Sequence, residues 1–113
     1  MRKFTFLLSL MLLPLTSHAV GNRDVHCRSA RAELRFHTEV YGTVAVGEYT
    51  VVDGKRADLP KERLDASGDV LFFNQGRVFM VVNAQADKPK FKLLGHLFGD
   101  ETILLEEGEC VAL

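Results

Sequence analysis

The stretch "DVLFFNQGRVFMVVN", residues 69–83, places two apolar runs on either side of a short polar segment. The runs Val70–Phe73 and Val78–Val82 have the length and the β-branched and aromatic content of strands. The segment "NQG" between them predicts a three-residue hairpin loop with Gly76 in the left-handed conformation. Because both runs are continuously apolar, we predict two central strands that are buried on both faces.

Residues upstream of this hairpin alternate between apolar and polar, which is the period of a strand. The segment "RSARAELRFHTEVYG", residues 28–42, puts four apolar side chains on one face: Ala30, Ala32, Leu34 and Phe36. The segment "TVAVGEYTVV", residues 43–52, predicts a second strand with a kink at its glycine. The pair Asp53–Gly54 then predicts a type I′ hairpin turn, because both residue types tolerate positive φ.

The segment "KRADLPKERLDASG", residues 55–68, is the least strand-like part of the chain. Its charges and Pro60 predict a surface loop with one helical turn near Lys61–Leu64. Downstream, residues 91–113 predict two strands around Gly99–Asp100 and a last short strand that carries Cys110. A short helix over Asp100–Glu107 remains the alternative for part of this region.

These elements together predict an all-β fold, a small antiparallel barrel or sandwich of about six to eight short strands. The chain shows no internal repeat and no second domain, so residues 20–113 form one domain. Closure of the sheet would also protect its apolar strand edges from aggregation.

The amino-terminal residues 1–19 have the layout of a secretory signal peptide. Arg2 and Lys3 precede the apolar run Phe4–Leu15, and small residues end the segment at Ala19. The run is shorter than the about 20 residues that a membrane-spanning helix requires. We therefore predict cleavage near Ala19, a periplasmic or secreted location and no stable membrane insertion, with a retained anchor as the alternative.

Two cysteines, Cys27 and Cys110, lie near the two ends of the mature chain with 82 residues between them. In a small exported protein this arrangement favours a disulfide, which stabilises by roughly 4 kcal/mol for a loop of this length. The alternative is a reactive thiol activated by His26. Adjacent residues of a strand point to opposite faces, and no CxxC motif is present, so the structural reading is favoured.

The charge of the chain argues against nucleic acid as a partner. Without residues 1–19 the chain has 12 basic and 15 acidic side chains, a formal charge of −3. Proteins that bind nucleic acid normally carry a basic excess, which releases counterions from the phosphates.

Catalytic and metal-binding patterns are weak in this sequence. His26, His37 and His96 lie on separate predicted strands without metal-ligand spacing, so we predict no metal and no cofactor. Ser67 lies in a polar turn rather than in a nucleophile elbow. We therefore predict a protein that is not an enzyme; convergence of the three histidines with carboxylates in a pocket would be the alternative.

Two features are candidates for contacting a partner. The first is a basic stripe formed by Arg31, Arg35 and His37, for which internal pairing between the basic amino-terminal and the acidic carboxy-terminal arm is the alternative. The second is a long loop on a rigid sheet, which commonly carries recognition. Its candidate residues are Asp53, Gly54, Lys55, Arg56, Lys61, Arg63, Ser67, Gly68 and Asp69.

The stretch "ASGDVLFFNQG", residues 66–76, is similar to the serine–glycine loop before an aromatic residue in secreted inhibitors of C-type lysozymes. Those inhibitors likewise have a small barrel with cysteines near both ends. The chain departs from them in lacking the tryptophan- or tyrosine-rich "TKG" strand that follows, so the likeness is an analogy confined to this stretch.

The sequence favours an exported binding protein that recognises or inhibits another envelope or secreted protein. Three more specific versions stay open: a lysozyme-inhibitor-like protein, a toxin-immunity or envelope-stress protein with one cognate partner, and a structural envelope subunit. Neither the partner nor the oligomeric state follows from the residues.

Overall fold

The computed structural model describes residues 21–96 and 101–113, with only the backbone of His96. Nine strands are the regular elements of the described residues, and their bounds are as follows. They are β1 (Asp24–Arg28), β2 (Ala32–Glu39), β3 (Val44–Val52), β4 (Lys55–Asp58), β5 (Arg63–Asp65), β6 (Val70–Asn74), β7 (Arg77–Val82), β8 (Lys90–His96) and β9 (Thr102–Ala112).

The strands form one antiparallel sheet in the order β4-β3-β2-β1-β9-β8-β7-β6, while β5 pairs with β3 off this path. The sheet curls into a nearly closed barrel. At one end of the strand order, β6 approaches β3 but does not form a hydrogen-bonded ladder with it. The Asn74 side chain donates a hydrogen bond to Thr50 Oγ1, and the rings of Phe36 and Phe72 lie 5.3 Å apart. The all-β prediction is thus confirmed.

The barrel interior is filled by the inward side chains of alternating positions. Phe36, Phe79 and Phe91 are completely buried, as are Leu34 and Leu93. The burial of β2 alternates strictly from Ala32 to Glu39, as its sequence period predicts. Further core residues are Val25, Cys27, Ala45, Ala66, Val70, Phe72, Val81 and Cys110.

A disulfide joins Cys27 and Cys110 at directly paired positions of β1 and β9, which confirms the predicted bond. A disulfide in a small domain fits an oxidising compartment outside the cytoplasm. Two positions before Cys110, a side chain at Gly108 would meet the carbonyl oxygen of Arg28 and the ring of Phe91. Glycine therefore allows β1, β8 and β9 to pack closely around the bond.

The hairpin turns between β3 and β4 and between β6 and β7 have positive φ at both central residues. Asp53 and Gly54 have φ of 51° and 82°, which confirms the predicted type I′ turn. Gln75 and Gly76 have φ of 51° and 79°. Because Asn74 pairs with Arg77, this loop has two residues, and the predicted three-residue loop is wrong in length.

Several local predictions need correction in the first half of the chain. Ala30 is exposed, because β2 begins only at Ala32. The regular strand ends at Glu39, and Val40–Gly42 form a turn with positive φ. Beside the kink expected at Gly47, the register between β2 and β3 shifts: Arg35 pairs with Tyr49 and Phe36 with Gly47, so Glu48 is the extra residue.

The predicted loop over residues 55–68 contains two short strands instead, β4 and β5, which pair with opposite ends of β3. The helical turn near Lys61–Leu64 is absent from the described structure, since Arg63–Asp65 is a strand. In the second half, burial of β6 on both faces is wrong, because Leu71 and Phe73 are exposed. The described strands form a single curled sheet with no second layer, so the outer face of β6 is uncovered, and β6 is an edge strand rather than a central one.

The carboxy-terminal region is strand, and the alternative of a helix over Asp100–Glu107 is wrong for the described positions of that range. β9 runs without interruption from Thr102 to Ala112, so there is no separate last strand after Glu107–Gly108. The predicted signal peptide, its cleavage near Ala19 and the turn at Gly99–Asp100 fall outside the described residues. None of the described segments is a helix with the length and apolarity needed to cross a membrane.

Candidate functional site

The outer face of β6 carries two exposed apolar side chains on a strand that has a ladder on one side only. Phe73 is 66% exposed and Leu71 is 42% exposed. They border a cleft of about 400 Å³ whose opposite wall includes Leu59, Pro60 and Leu64. We call these five residues the β6 edge surface.

The position of the opposite wall is set by close packing at Gly47 in β3. A Cβ there would lie 2.6 Å from Leu59 Cδ1 and 3.0 Å from the Phe72 ring. Since only glycine leaves that space, Leu59 enters the barrel seam, where it is 6% exposed. The Leu59 amide donates to the carbonyl oxygen of Glu48 at 3.0 Å, which fixes the chain just before Pro60.

The structure divides the predicted partner-binding loop between the two ends of β3. Val52 pairs with Lys55 at one end, whereas Val44 pairs with Asp65 at the other. At a rise of about 3.3 Å per residue these two ends are about 26 Å apart. Asp53, Gly54, Lys55 and Arg56 therefore form one group, and Ser67, Gly68 and Asp69 form another, with Lys61 and Arg63 between them.

The serine–glycine turn is exposed but firmly held. Ser67 N–H donates to Asp65 Oδ1 at 3.0 Å, and Asn83 N–H donates to Asp69 Oδ1 at 2.8 Å. The Gly68 carbonyl accepts a hydrogen bond from the amide of Ala84 at 3.0 Å. The hydrogen bond from the Ser67 amide lowers the pKa of the Asp65 carboxyl below its usual value. The turn therefore projects from the barrel with its backbone already ordered.

The predicted basic stripe is neutralised by acidic neighbours on β2, β3 and the adjoining turn. The Arg31 guanidinium donates to both carboxylate oxygens of Asp53, at 2.9 and 3.0 Å. Arg35 Nε lies 3.7 Å from Glu48 Oε1. Internal pairing therefore occurs, but mainly with Asp53 and Glu48 rather than with the acidic carboxy-terminal arm. Within the described part of that arm, Arg31 contacts Glu106, whose Oε1 accepts a hydrogen bond from the Arg31 amide at 3.0 Å.

His37 lies between two carboxylates on the outer face of the barrel. Its Nε2 is 3.0 Å from Glu39 Oε2, and its Nδ1 is 3.2 Å from Glu48 Oε2. The hydrogen bond with Glu39, followed by that with Glu48, raises the pKa of His37 above its usual value of 6.5. The His37 contact likewise lowers the pKa of Glu39, whose other oxygen binds Arg63.

The alternative of an enzyme requires His26 and His96 to converge with His37. His26 Nε2 lies 2.8 Å from Glu33 Oε2, separate from the His37 cluster, and the His96 side chain is outside the described part. Within residues 21–96 and 101–113, no group of three or more histidine, cysteine or acidic side chains is arranged to hold a metal ion.

Sequence reasoning did not identify the β6 edge surface, because it assigned Leu71 and Phe73 to the interior. The sequence carries no local signal for this surface, because the approach of Leu59 and Pro60 to β6 depends on how the barrel closes. Comparison of the chain with protein-family models, curated proteins and solved structures found no match.

Proposed function

We propose that this chain is an exported binding protein that docks another exported protein on the β6 edge surface. The observation that carries the proposal is the exposure of Phe73, at 66%, on a strand that ends the sheet. Proteins normally protect such strands with charge, proline or a covering element. An exposed aromatic residue on a strand edge is instead typical of a surface that a partner covers.

The energy available at this surface is sufficient for an anchoring contact. Burial of two thirds of the about 200 Å² of a phenylalanine contributes about 3 kcal/mol at 25 cal/mol per Å². Leu71 lies two residues away on the same face, and Leu59, Pro60 and Leu64 supply an apolar wall opposite. A side chain of the partner that enters this cleft would contact both walls.

A photo-crosslinking amino acid at position 73 tests this proposal in exporting cells. The matched control is position 41, because Tyr41 is also an exposed aromatic residue, at 83%, but lies in the turn after β2. We expect one discrete adduct from position 73 and none from position 41. Absence of an adduct at 73, or the same adducts from both positions, would contradict the proposal.

The identity of the adduct distinguishes the versions of this function. A cognate toxin would identify an immunity protein, and a component of an envelope assembly would identify a structural subunit. A peptidoglycan hydrolase would identify an inhibitor.

The lysozyme-inhibitor version rests on a different observation, the ordered and exposed turn at Ser67–Gly68. A rigid projecting turn enters an enzyme cleft with little loss of conformational entropy. We expect the mature protein to inhibit a C-type lysozyme and the Gly68→Arg variant to inhibit it at least about tenfold more weakly. A Cβ at Gly68 meets no atom within 4 Å, so the new side chain starts in open space, and circular dichroism of the variant checks the fold. Full lysozyme activity in the presence of the wild-type protein would eliminate this version while leaving docking at β6 intact.

A further inference from the structure

A second cleft, of about 620 Å³, lies between the tips of the two type I′ hairpins. One wall is the turn between β3 and β4, and the other is the turn between β6 and β7. Its lining residues are Thr50, Val52, Asp53, Lys55, Arg56, Ala57, Asn74, Gln75 and Arg77. This volume is within the range of small-molecule sites, about 300–1,000 Å³.

The lining contains three cations and one carboxylate. The carboxylate, Asp53, has both oxygens occupied by Arg31, which does not line the cleft. Arg56 lies 3.4 Å from Asp58 and over the ring of Tyr49. Among the described residues, Lys55 and Arg77 form no ion pair.

Arg77 shows most directly that positive charge in the cleft lacks a partner. Its Nη1 is buried, yet it has no hydrogen-bond partner among the described residues. A buried guanidinium donor is normally paired, and carboxylate or phosphate oxygens fit its planar donors best. No neighbouring polar group among the described residues accepts a hydrogen bond from it, and the Asn74 side chain instead donates to Thr50 Oγ1. The positive field also reaches Asp53, whose carboxyl pKa is lowered chiefly by Arg31 and further by Arg77 and Lys55.

From this arrangement we infer that the hairpin cleft binds a small polyanion, with one phosphate or carboxylate group on Arg77 and a second on Lys55. The two cations belong to opposite walls, so a ligand with two negative groups neutralises both and bridges the hairpins. The lining residues make no part of the β6 edge surface, and the inference does not depend on the proposed function. A soluble phosphate ester and an anionic lipid headgroup offer the same chemistry.

Calorimetric titration of the mature, disulfide-bonded protein with pyrophosphate at low ionic strength tests the site. We expect saturable binding that weakens at least about tenfold in Arg77→Gln, with a similar loss in Lys55→Gln. The matched control is Lys88→Gln, which removes the same charge from an exposed position beyond the far end of β7 and changes the affinity less than about twofold. Lys55 is exposed at the start of β4, so its variant remains informative if Arg77→Gln fails to fold.

Absence of pyrophosphate binding, or an equal loss in the Lys88→Gln control, would overturn the inference. Sedimentation with phosphatidylglycerol vesicles distinguishes the two sources of the anion. Sedimentation that requires Arg77 identifies a headgroup, whereas binding of pyrophosphate without sedimentation identifies a soluble ligand; either result supports the cleft as an anion site.

Discussion

Reduction of the disulfide between β1 and β9 is expected to remove a large fraction of the stability of this domain. The bond spans 83 positions of sequence, so its loss releases nearly the whole domain from one loop in the unfolded state. Chain-entropy reasoning for a loop of this size gives about 15 cal/mol/K, or about 4.5 kcal/mol at 25 °C. Small domains have a total free energy of unfolding of about 5–15 kcal/mol.

The free energy that the disulfide contributes can be measured directly on the wild-type protein. Cys27 and Cys110 are completely buried at paired positions, and reduction breaks the bond without removing any heavy atom. The wild-type protein with and without a phosphine reductant is therefore the proper comparison. Replacement of both cysteines by alanine would add a cavity term of about 1 kcal/mol for each sulfur removed, treated as a buried methylene.

Urea unfolding followed by circular dichroism provides the measurement. With an m-value of about 1.5 kcal/mol/M, the loss of 4.5 kcal/mol lowers the midpoint by about 3 M. We also expect a smaller m-value for the oxidised form, because its cross-linked unfolded state exposes less surface. A midpoint difference below about 0.5 M would refute the reasoning, since the bond would then do little to restrict the unfolded chain. Two free thiols by mass spectrometry of the processed protein would refute it earlier.

Three further predictions concern single positions. Gly108→Ala is expected to lower the free energy of unfolding by about 3 kcal/mol in urea titration, because the added Cβ collides with β1 and β8. The control Gly68→Ala should change this free energy by less than about 0.5 kcal/mol. Equal effects of the two variants would contradict the packing argument. Gln75→Asn is expected to add about 0.5–1 kcal/mol, because asparagine adopts the φ of 51° at less cost, and a loss would contradict the assigned turn. Because the folded state raises the pKa of His37, its ion pairs stabilise fully below about pH 6.5 and lose this effect as the pH rises through the raised pKa. At acidic pH the stabilisation is limited by Glu39, because the contribution of its carboxylate to stability is lost as the pH falls through its lowered pKa. The melting temperature of His37→Gln should thus fall below that of wild type near pH 5.5 and equal it near pH 9, and a constant difference would contradict this linkage.

Strands β2 and β3 follow from the sequence period, but the position of each strand in the sheet does not. The inward residues of β2 alternate with charged residues, since one face is covered and the other is in water. β6 is continuously apolar, as expected of a central strand, yet it ends the sheet and its outward side chains Leu71 and Phe73 are exposed. Which strand ends a sheet depends on pairings between distant segments, and local composition carries no record of them.

The charged segment that resembles a loop shows the same limit. Edge strands tolerate lysine, arginine and aspartate on both sides, and β4 and β5 each pair only with β3. Their composition therefore matches that of a surface loop. The split of the candidate loop residues between two ends of the barrel follows from these pairings and was not predictable from spacing alone.

The basic stripe could have been resolved further from the sequence. Glu39 continues the outward face of β2 two residues after His37, so this neighbour was visible in the alternation. Glu48 could not be recognised as a neighbour from the sequence, because the register shift opposite Arg35–Phe36 is what brings it beside the basic stripe. The unpaired donor of Arg77 likewise depends on how two distant hairpins approach each other.

The central place of β1 and β9 in the strand order governs the sequence of events when the polypeptide emerges amino end first from a ribosome or a translocation pore. β1 can pair with β2 as soon as both have emerged, but its other partner, β9, is the last strand to appear. Until then, the backbone N–H and C=O groups on one edge of β1 have no hydrogen-bond partner in the sheet. Such non-local pairing is slow to form. A holding factor that shields β1 during this interval would raise the yield of native molecules.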